Sequence, residues 1–519
     1  MARVYADARH WRLEKVLYRL MGAQPDDGQR WTKYGTSVLA FSAVSVLFLY
    51  GLLLVQTRLP EPWGHKGMTP ALAFNTAISF VTNTSWQNYP GETTLGQIGL
   101  LAGLGVQAFA GCAVGMCVAV ALIRGLSRYR SEQIGNFWVD LVRTVVRILV
   151  PLSIVITLIL LALGVVNNFH GARDVTTMAG GHQTIVGGLV ATLESIKLMS
   201  GDGGGASNAN SAHPFENPTP LTNVVEIVAM LMIPVAFIRT FGVMVGEKKQ
   251  GWALFGAAAI LFVMGTAAII AADLVTNGTV IHAVGAATEG TETRFGVPGS
   301  AIFGQAATAS ADGAANSSYD SYASAGGAVL MLNMMLGEVA PGGPGSGLYG
   351  LVMMTLLAAF LGGLMIGRTP EFLKQQLHSR HMKLISMYLL TLPAAVLIGA
   401  AVAVALPGER ASMLNAGPHG LSEVLYAFTS AAANNGSAFA GFSGNTTWFN
   451  IALGLAMVVG RFLPIIAVLA IAGTFASQRA GVITAGTLRT HSPTFVFLIV
   501  GLEYLPALAL GPAADALPR

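Results

Sequence analysis

The sequence predicts an all-α integral membrane protein of about nine transmembrane helices, arranged as four pseudo-symmetric repeats. Three observations support this prediction. Of 519 residues, 53% are hydrophobic and only 10% are charged, whereas soluble domains carry about 25% charged residues. Apolar segments long enough to cross a bilayer recur along the chain, and a half-length apolar segment followed by small and amide residues recurs between them. A chain this apolar needs lipid as the solvent for much of its surface.

The spanning segments follow from length, because a helix needs about 20 mostly apolar residues to cross a bilayer. The continuous candidates are Thr36–Gln56, Gly96–Arg124, Val139–Val166, Thr222–Arg239, Trp252–Leu274, Leu384–Leu406, Thr447–Phe475 and Pro493–Gly511. A further apolar stretch, residues 323–367, is interrupted by the Pro/Gly-rich run Pro341–Gly347. Such a run breaks a helix, and a break at membrane depth is tolerated only where protein or a water-filled cavity surrounds it. We therefore predict one long broken helix here.

Basic residues predict the orientation. The net charge of +4 is concentrated in short loops between apolar spans, which is typical of membrane topology rather than of nucleic-acid binding. With the N-terminal segment inside, every basic cluster falls on the cytoplasmic side, so a multi-pass membrane protein with a cytoplasmic N-terminal segment is expected. The clusters are Arg3–Lys33, Arg124–Arg130, Arg239–Lys249, Arg368–Lys383 and Arg479–Arg489.

Several chemistries are excluded or disfavoured. The sequence has no Asp-Lys-Thr-Gly-Thr phosphorylation motif and no phosphate-binding Gly-x-x-x-x-Gly-Lys-Ser/Thr loop, so the chain is not expected to hydrolyse ATP. Cys112 and Cys117 do not share a helix face, which favours a packing role over a disulfide or metal site. His213 is expected to brace its loop through a hydrogen bond. No cleavable signal peptide and no cofactor are expected.

The four half-length segments each precede a loop of small and amide residues. They are Ala71–Val81 before Thr82–Gln87, Val190–Met199 before Ser200–Gly205, Ala301–Ala309 before Ser310–Ala314, and Val424–Ala432 before Ala433–Ser437. Gly203, Gly313 and Gly436 align in three loops, and Ser85 takes this position in the first. The C-terminal end of a half-helix favours a cation, and glycine lets loop carbonyls turn toward a shared axis. The pattern predicts a cation filter of four loops.

These repeats divide the chain into six parts. The predicted parts are an N-terminal cytoplasmic segment, 1–33; repeat 1, 34–130, with filter loop 82–92; repeat 2, 131–250, with filter loop 200–218; repeat 3, 251–383, with filter loop 310–320 and broken helix 323–367; repeat 4, 384–490, with filter loop 433–446; and a C-terminal transmembrane helix and tail, 491–519.

Five groups of residues carry a family resemblance over almost the whole chain. They are Val81–Gln87 with Gly91–Thr94, Gly203–Gly205 with Asn208–Pro218, Gly337–Glu338 with Gly345–Gly350, Leu364–Glu371, and Asn434–Gly441. As a set they resemble the potassium-binding (KdpA) component of bacterial Kdp-type potassium-transporting ATPases. The resemblance implies a fold of the potassium transporter/channel superfamily and high-affinity potassium import. It also implies an intramembrane tunnel to a KdpB-like P-type ATPase partner, with KdpC-like and small accessory subunits as further partners.

The same resemblance implies which residues hold the ion. The implied filter residues are Asn83, Thr84, Ser85, Gln87, Asp202, Gly203, Asn210, Asp312, Gly313, Asn434 and Gly436. Glu338 and Arg461 match positions near the filter and near the interrupted helix, which the resemblance implies gates the ion path. No catalytic residue is implied, and potassium at the filter is the only metal expected, as transported ligand.

The chain departs from the family pattern at several points. It is expected to lack the family's first transmembrane helix. Asp202 replaces an amide and Asp312 a small residue, while Ala206–Ser207 replace two aromatics and Ala433 an asparagine. In their charged forms, the two aspartates would tighten cation binding and reduce discrimination against sodium or divalent ions; burial in a low dielectric would instead favour their protonated forms.

Two alternatives stay open at this stage. A stand-alone potassium transporter of the Trk/Ktr type shares the four-repeat plan but works without an ATPase. An intramembrane aspartyl protease would use Asp202 and Asp312 as its acid and base.

Overall fold

The computed structural model describes residues 1–60, 65–185, 187–274, 288–365, 367, 369–479, 481, 490–492, 495–496 and 499. Within these residues the chain is mostly helical, with two short antiparallel hairpins. The helices are α1 (Ala2–Ala6), α2 (Arg12–Leu20), α3 (Trp31–Val55), α4 (Pro70–Val81), α5 (Gly91–Thr94), α6 (Val106–Ser127), α7 (Phe137–Thr144), α8 (Val150–Ala162), α9 (Val190–Ser200), α10 (Pro220–Met244), α11 (Lys248–Leu274), α12 (Gly296–Ala309), α13 (Ser324–Met335), α14 (Ser346–Met365), α15 (Ser379–Ala405), α16 (Pro407–Arg410), α17 (Pro418–Ala433) and α18 (Thr447–Ser477). The hairpins pair β1 (Arg173–Thr176) with β2 (His182–Ile185), and β3 (Glu371–Phe372) with β4 (Gln375–Gln376).

Eight helical segments within the described residues are long and apolar enough to cross a membrane. They are Trp31–Arg58, Gly99–Ser127, Phe137–Ala162, Pro220–Met244, Lys248–Leu274, Ser346–Met365, Ser379–Ala405 and Thr447–Ser477. Two of them contain a π-helical turn, Gly99–Gly105 and Val145–Leu149. The spans match the predicted segments to within a few residues, and the predicted all-α membrane fold is confirmed. The remaining predicted crossing, Pro493–Gly511, falls almost entirely outside the described residues.

The interrupted helix breaks earlier than predicted. The apolar run suggested helix up to Val339, but α13 ends at Met335 and α14 begins at Ser346. Gly337 and Glu338 have φ angles of 82° and 53°, and these left-handed conformations cannot continue a right-handed helix. The break is therefore a ten-residue loop, 336–345, which begins well before the prolines.

Four short helices, α4, α9, α12 and α17, match the predicted half-length segments and end where predicted to within one residue. However, α12 and α17 begin several residues earlier than the apolar pattern suggested, at Gly296 and Pro418. The part of α17 that precedes Val424 contains two buried polar residues, Ser422 and Glu423, which the apolar pattern could not include. Proline at the first helical position is compatible with a start there.

The segments that carry the predicted cytoplasmic basic clusters meet at one end of the molecule. Hydrogen bonds join these segments. The amides of Ile134 and Arg130 donate to the carbonyls of Gln29 (3.0 Å) and Gln478 (2.9 Å), and the hydroxyl of Tyr129 donates to the carbonyl of Leu373 (3.3 Å). A common end is what the predicted topology requires. Two members of these clusters, Arg368 and Arg489, lie outside the described residues.

A buried ion pair fastens α6 to α7 near this end. Arg124 donates two hydrogen bonds to Asp140, of 2.6 and 2.8 Å, and Tyr34 of α3 donates a third at 3.1 Å. The two paired side chains are 11% and 1% exposed. Removing one partner would leave the other charge buried and uncompensated, which costs about 3–5 kcal/mol.

We therefore expect Asp140→Ala to lower the stability of the purified protein by about 3–5 kcal/mol, measured as a shift in its thermal unfolding midpoint. The matched control is Arg30→Ala, which breaks an ion pair with Glu132 whose side chains are both 68% exposed. Exposed pairs contribute about 0–1 kcal/mol. Equal shifts for the two variants would contradict a structural role for the buried pair.

Candidate cation filter

The loops that follow α4, α9, α12 and α17 share one backbone pattern. Each contains two residues with positive φ, separated by a single residue of negative φ. The pairs are Asn83 (59°) and Ser85 (54°), Gly201 (62°) and Gly203 (76°), Ala311 (56°) and Gly313 (77°), and Asn434 (63°) and Gly436 (103°). Positive φ is uncommon outside glycine, so its recurrence in register makes the four loops structural equivalents. Ser85 adopts the conformation that glycine adopts in the other three.

The end of each half-helix fixes this register. In each repeat a loop amide returns to the carbonyl five residues earlier, as in a helix ending with a left-handed residue. The bonds run from Thr84 to Ser79 (2.9 Å), Asp202 to Lys197 (3.1 Å), Asp312 to Ala307 (3.1 Å) and Asn435 to Ser430 (2.9 Å). Thr84, Asp202, Asp312 and Asn435 are therefore the equivalent residues that lie between the positive-φ positions.

The four loops close into a ring through their backbones. A Cβ atom added to each glycine would strike a carbonyl oxygen of the next repeat: Asp312 for Gly203, Asn435 for Gly313, and Thr84 for Gly436. The ring closes between repeats 1 and 2, where a Cβ on Gly204 would lie 2.8 Å from Cβ of Ser85. Only residues without a side chain permit such close approach. We call these four loops the filter ring.

Amide side chains of repeat 1 tie the ring to repeat 2. Asn83 donates to the carbonyl of Gly201 at 2.5 Å. Gln87 donates to the carbonyl of Gly205 at 3.3 Å and accepts from its amide at 3.1 Å. These bonds hold neighbouring loops at a fixed separation.

Amides of repeat 4 make the corresponding ties on both sides. Asn434 donates to Oγ1 of Thr84 in repeat 1 at 2.9 Å. Asn435 donates to the carbonyl of Ala307 in repeat 3 at 3.0 Å. The filter ring is thus cross-braced, which limits how far it can adapt to ions of different size.

Two carboxylates lie in adjacent repeats of the ring. Asp202 and Asp312 are 1% and 0% exposed. Among the described residues, Oδ1 of Asp202 and Oδ2 of Asp312 are buried without a hydrogen-bond partner, as is Oγ of Ser85. Buried oxygens without partners are costly unless something else satisfies them, and a cation in the ring would do so.

The ten-residue loop between α13 and α14 lies against the filter ring. The amide of Gly342 donates to the carbonyl of Ala309 at 2.9 Å. A Cβ on Gly343 would lie 2.9 Å from Cβ of Ala311, and one on Gly201 would lie 2.6 Å from Cδ of Pro344. The loop therefore contacts the filter loops of repeats 2 and 3.

Glu338 and Arg461 are buried beside this loop. Glu338 is 4% exposed, and Arg461, in α18, is 6% exposed and donates to the carbonyl of Gly111 at 2.8 Å. Gly115 of the same helix as Gly111 approaches both Arg461 and Pro344. The structure thus brings both predicted near-filter residues to the loop that adjoins the ring.

Asn210 and His213 lie behind the second loop. Asn210 donates to the carbonyl of Gly203 at 2.7 Å. His213 accepts a hydrogen bond from the Phe215 amide at 3.1 Å, which confirms the predicted bracing role. Both predicted packing cysteines are buried and free.

Sequence reasoning missed Asn435 and Lys197. Asn435 occupies the ring position equivalent to Asp202. It lies between Asn434 and Gly436, both predicted as filter residues, and this placement could have identified it. Lys197 is 1% exposed within a half-helix that also contains a buried acid, Glu194. A charged residue at membrane depth indicates function by default, so Lys197 also carried a signal.

A closed ring of four re-entrant loops, held among eight apolar helices of the described residues, defines a multi-pass membrane protein with a channel-like fold. The family described as potassium-transporting ATPase A subunit, KdpA, matches residues 1–517. The chain belongs to this family.

Relatives with the name "Potassium-transporting ATPase potassium-binding subunit" align along the whole chain. Those from Mycolicibacterium vanbaalenii and Frankia alni are 55% and 52% identical, over 100% of this chain and 95% of each relative. Among solved structures, the potassium transporter TrkH from Vibrio parahaemolyticus matches with a TM-score of 0.55 at 15% identity, covering 84% of this chain and 85% of TrkH. That likeness concerns the fold alone.

Proposed function

We propose that this chain is the potassium-binding and translocating subunit of an ATP-driven, high-affinity potassium import complex. Extracytoplasmic potassium enters the filter ring and passes through an intramembrane tunnel to a P-type ATPase partner. The observation that carries the proposal is the closure of the ring, in which each glycine abuts a carbonyl of the next repeat. Rings of backbone oxygens replace the hydration shell of potassium in selective pores.

The predicted filter residues take distinct roles in this proposal. Oxygens of the loops at Thr84, Asp202, Asp312 and the aligned positions face the ion. Asn83, Gln87 and Asn434 hold neighbouring loops together through the hydrogen bonds described above. The loop that contains Glu338 controls passage beyond the ring.

The chain itself is non-catalytic in this proposal. Its sequence lacks the phosphorylation and phosphate-binding motifs that ATP hydrolysis requires. Hydrolysis therefore belongs to a KdpB-like partner, with KdpC-like and small accessory subunits completing the complex. The names of the relatives describe one component of a potassium-transporting ATPase, which favours this context over a stand-alone transporter.

The protease alternative is less well supported. Asp202 and Asp312 occupy positions equivalent to Thr84 and Asn435. A filter position that recurs in all four repeats explains why both aspartates lie where they do. A catalytic dyad would not explain why Thr84 and Asn435 occupy the same position in the other two repeats.

The test is purification of the chain from its native membrane with whatever subunits accompany it, followed by ATPase assays over a range of potassium concentrations. We expect an ATPase partner to co-purify and potassium to stimulate hydrolysis. Potassium uptake by the chain alone in vesicles, without ATP, would favour a stand-alone transporter. Co-purification without any dependence on potassium would contradict the proposed ion.

A further inference from the structure

Lys197 is a buried cation directly behind a cation filter. It lies in the last turn of α9, and its side chain is 1% exposed. Its Nζ pairs with Glu194 at 2.7 Å and with Glu216 at 3.2 Å. An ammonium placed close to a bound cation opposes binding by simple repulsion. Its presence in the second repeat therefore needs an explanation that outweighs this cost.

The equivalent position in repeats 1 and 4 braces the filter loop, whereas repeat 3 has Ala307 there. Ser79 of repeat 1 donates its hydroxyl to the carbonyl of Trp86 at 3.1 Å. Ser430 of repeat 4 accepts from the amide of Gly436 at 2.9 Å. In both repeats a short side chain at the end of the half-helix reaches its own filter loop directly.

In repeat 2 the brace has two members. Nζ of Lys197 donates to Oδ1 of Asn210 at 2.8 Å, and Nδ2 of Asn210 donates to the carbonyl of Gly203 at 2.7 Å. An ammonium can only donate and a carbonyl can only accept, so the Asn210 amide has one possible orientation. Lys197, together with the amides of Ser211 (2.9 Å) and Ala315 (3.4 Å) that also donate to Oδ1, determines which end of Asn210 faces the filter ring.

The peptide held by this brace joins Gly203 to Gly204, and neither residue has a side chain to restrict its dihedral angles. The carbonyl of Gly203 is the group that Asn210 holds. Without that bond, packing against Phe80 and the Asp312 carbonyl would still restrict this peptide, but its oxygen would lose the donor that sets its direction.

Glu194 and Glu216 hold the ammonium from behind. Ser211 reinforces this arrangement, because its hydroxyl donates to Glu194 at 2.8 Å and accepts from Lys197 at 3.0 Å. Glu216 is itself fixed by the amide of Ser207 at 2.8 Å. The three N–H groups of the ammonium thus go to Ser211, Glu216 and Asn210, with Glu194 as a further ion-pair partner.

We propose that Lys197 and Asn210 form a positioning pair that fixes the Gly203–Gly204 peptide and thereby sets the preference of the ring for potassium over sodium. The proposal rests on the proposed function of the ring. Neither residue contacts the ion in this scheme: Lys197 acts through Asn210, and Asn210 acts through the carbonyl of Gly203.

The decisive variant is Asn210→Asp in the complete complex. An aspartate keeps its partnership with Lys197 but presents an acceptor, instead of a donor, to the Gly203 carbonyl. We expect the ratio of apparent affinities for potassium and sodium, measured from ATPase stimulation, to fall at least tenfold. Gln183→Glu is the matched control, because it makes the same amide-to-acid change at an exposed residue of the β1–β2 hairpin, and it should stay within twofold of wild type.

A double variant tests whether the two residues act as one device. Lys197→Met with Asn210→Asp should reduce the ratio no more than Asn210→Asp alone. If Lys197→Met prevents assembly, Asn210→Asp and Asn210→Ala decide the question, since both retain the buried lysine. An assembled Asn210→Asp complex with potassium stimulation and an unchanged ratio would overturn the positioning pair. Absence of potassium stimulation in the wild-type complex would instead overturn the proposed function.

Discussion

Replacing Gly203 by alanine is expected to lower the apparent potassium affinity of the complex by on the order of 100-fold. Gly203 has a φ angle of 76°, and a Cβ there would strike the carbonyl oxygen of Asp312 in the next repeat. The left-handed conformation costs an alanine about 1–2 kcal/mol, and overpacking costs about 1–3 kcal/mol more. Because both clashing groups belong to the ring, relief of the clash must displace the atoms that surround the ion.

The measurement is potassium-stimulated ATPase activity of the purified complex, with Gly256→Ala as the matched control. Gly256 lies within α11, and nothing lies within 4 Å of a Cβ placed there. Alanine should leave affinity unchanged at that position and stabilise the helix by up to about 1 kcal/mol. Wild-type affinity for Gly203→Ala would contradict the backbone contact that closes the ring.

Replacing Asp312 by asparagine, alone and together with Asp202→Asn, is expected to weaken cation binding and to sharpen selectivity. Both carboxylates are buried in adjacent repeats, each with an oxygen that lacks a hydrogen-bond partner among the described residues. In its charged form, each carboxylate should contribute to cation binding as much as a hydrogen bond to a charged group, about 1.5–3 kcal/mol, so each change should cost about 10- to 100-fold in affinity. Sodium and calcium should also compete less well with potassium. A dense negative charge favours small or divalent ions, and the substitutions remove that charge.

Affinities for potassium, sodium and calcium in the same ATPase assay test this expectation. Asp26→Asn is the control, since Asp26 is an exposed residue of the N-terminal segment. Unchanged affinities in the single and double variants would remove the carboxylates from the ion site. A peptide-cleaving activity that disappears in the double variant would favour the protease alternative.

The spans and half-helices were predictable from sequence because the bilayer imposes length and hydropathy on every crossing. The filter loops were predictable because four copies of one pattern reinforce a signal that is weak in any single loop. Ser85 illustrates this: its alignment with Gly203 was inferred from neighbours, and its φ angle of 54° matches that inference.

Other features depend on partners that are distant in sequence. The loop that follows α13 is held to the ring by a bond from the amide of Gly342 to the carbonyl of Ala309, 33 positions earlier. The bond from Asn435 to Ala307 joins residues 128 positions apart. The role of Lys197 emerges only when Asn210 is placed beside it. Local patterns contain none of these contacts.

The four loops of the filter ring are encoded by one gene, and each has a different sequence. In a homotetrameric pore, one codon change alters every quadrant at once, so its effects are multiplied. Here a change at Asp312 alters one quadrant and leaves Thr84, Asp202 and Asn435 as they are. Selection can therefore change one loop of such a site without changing the other three. An uneven distribution of charge around the ion is the expected result.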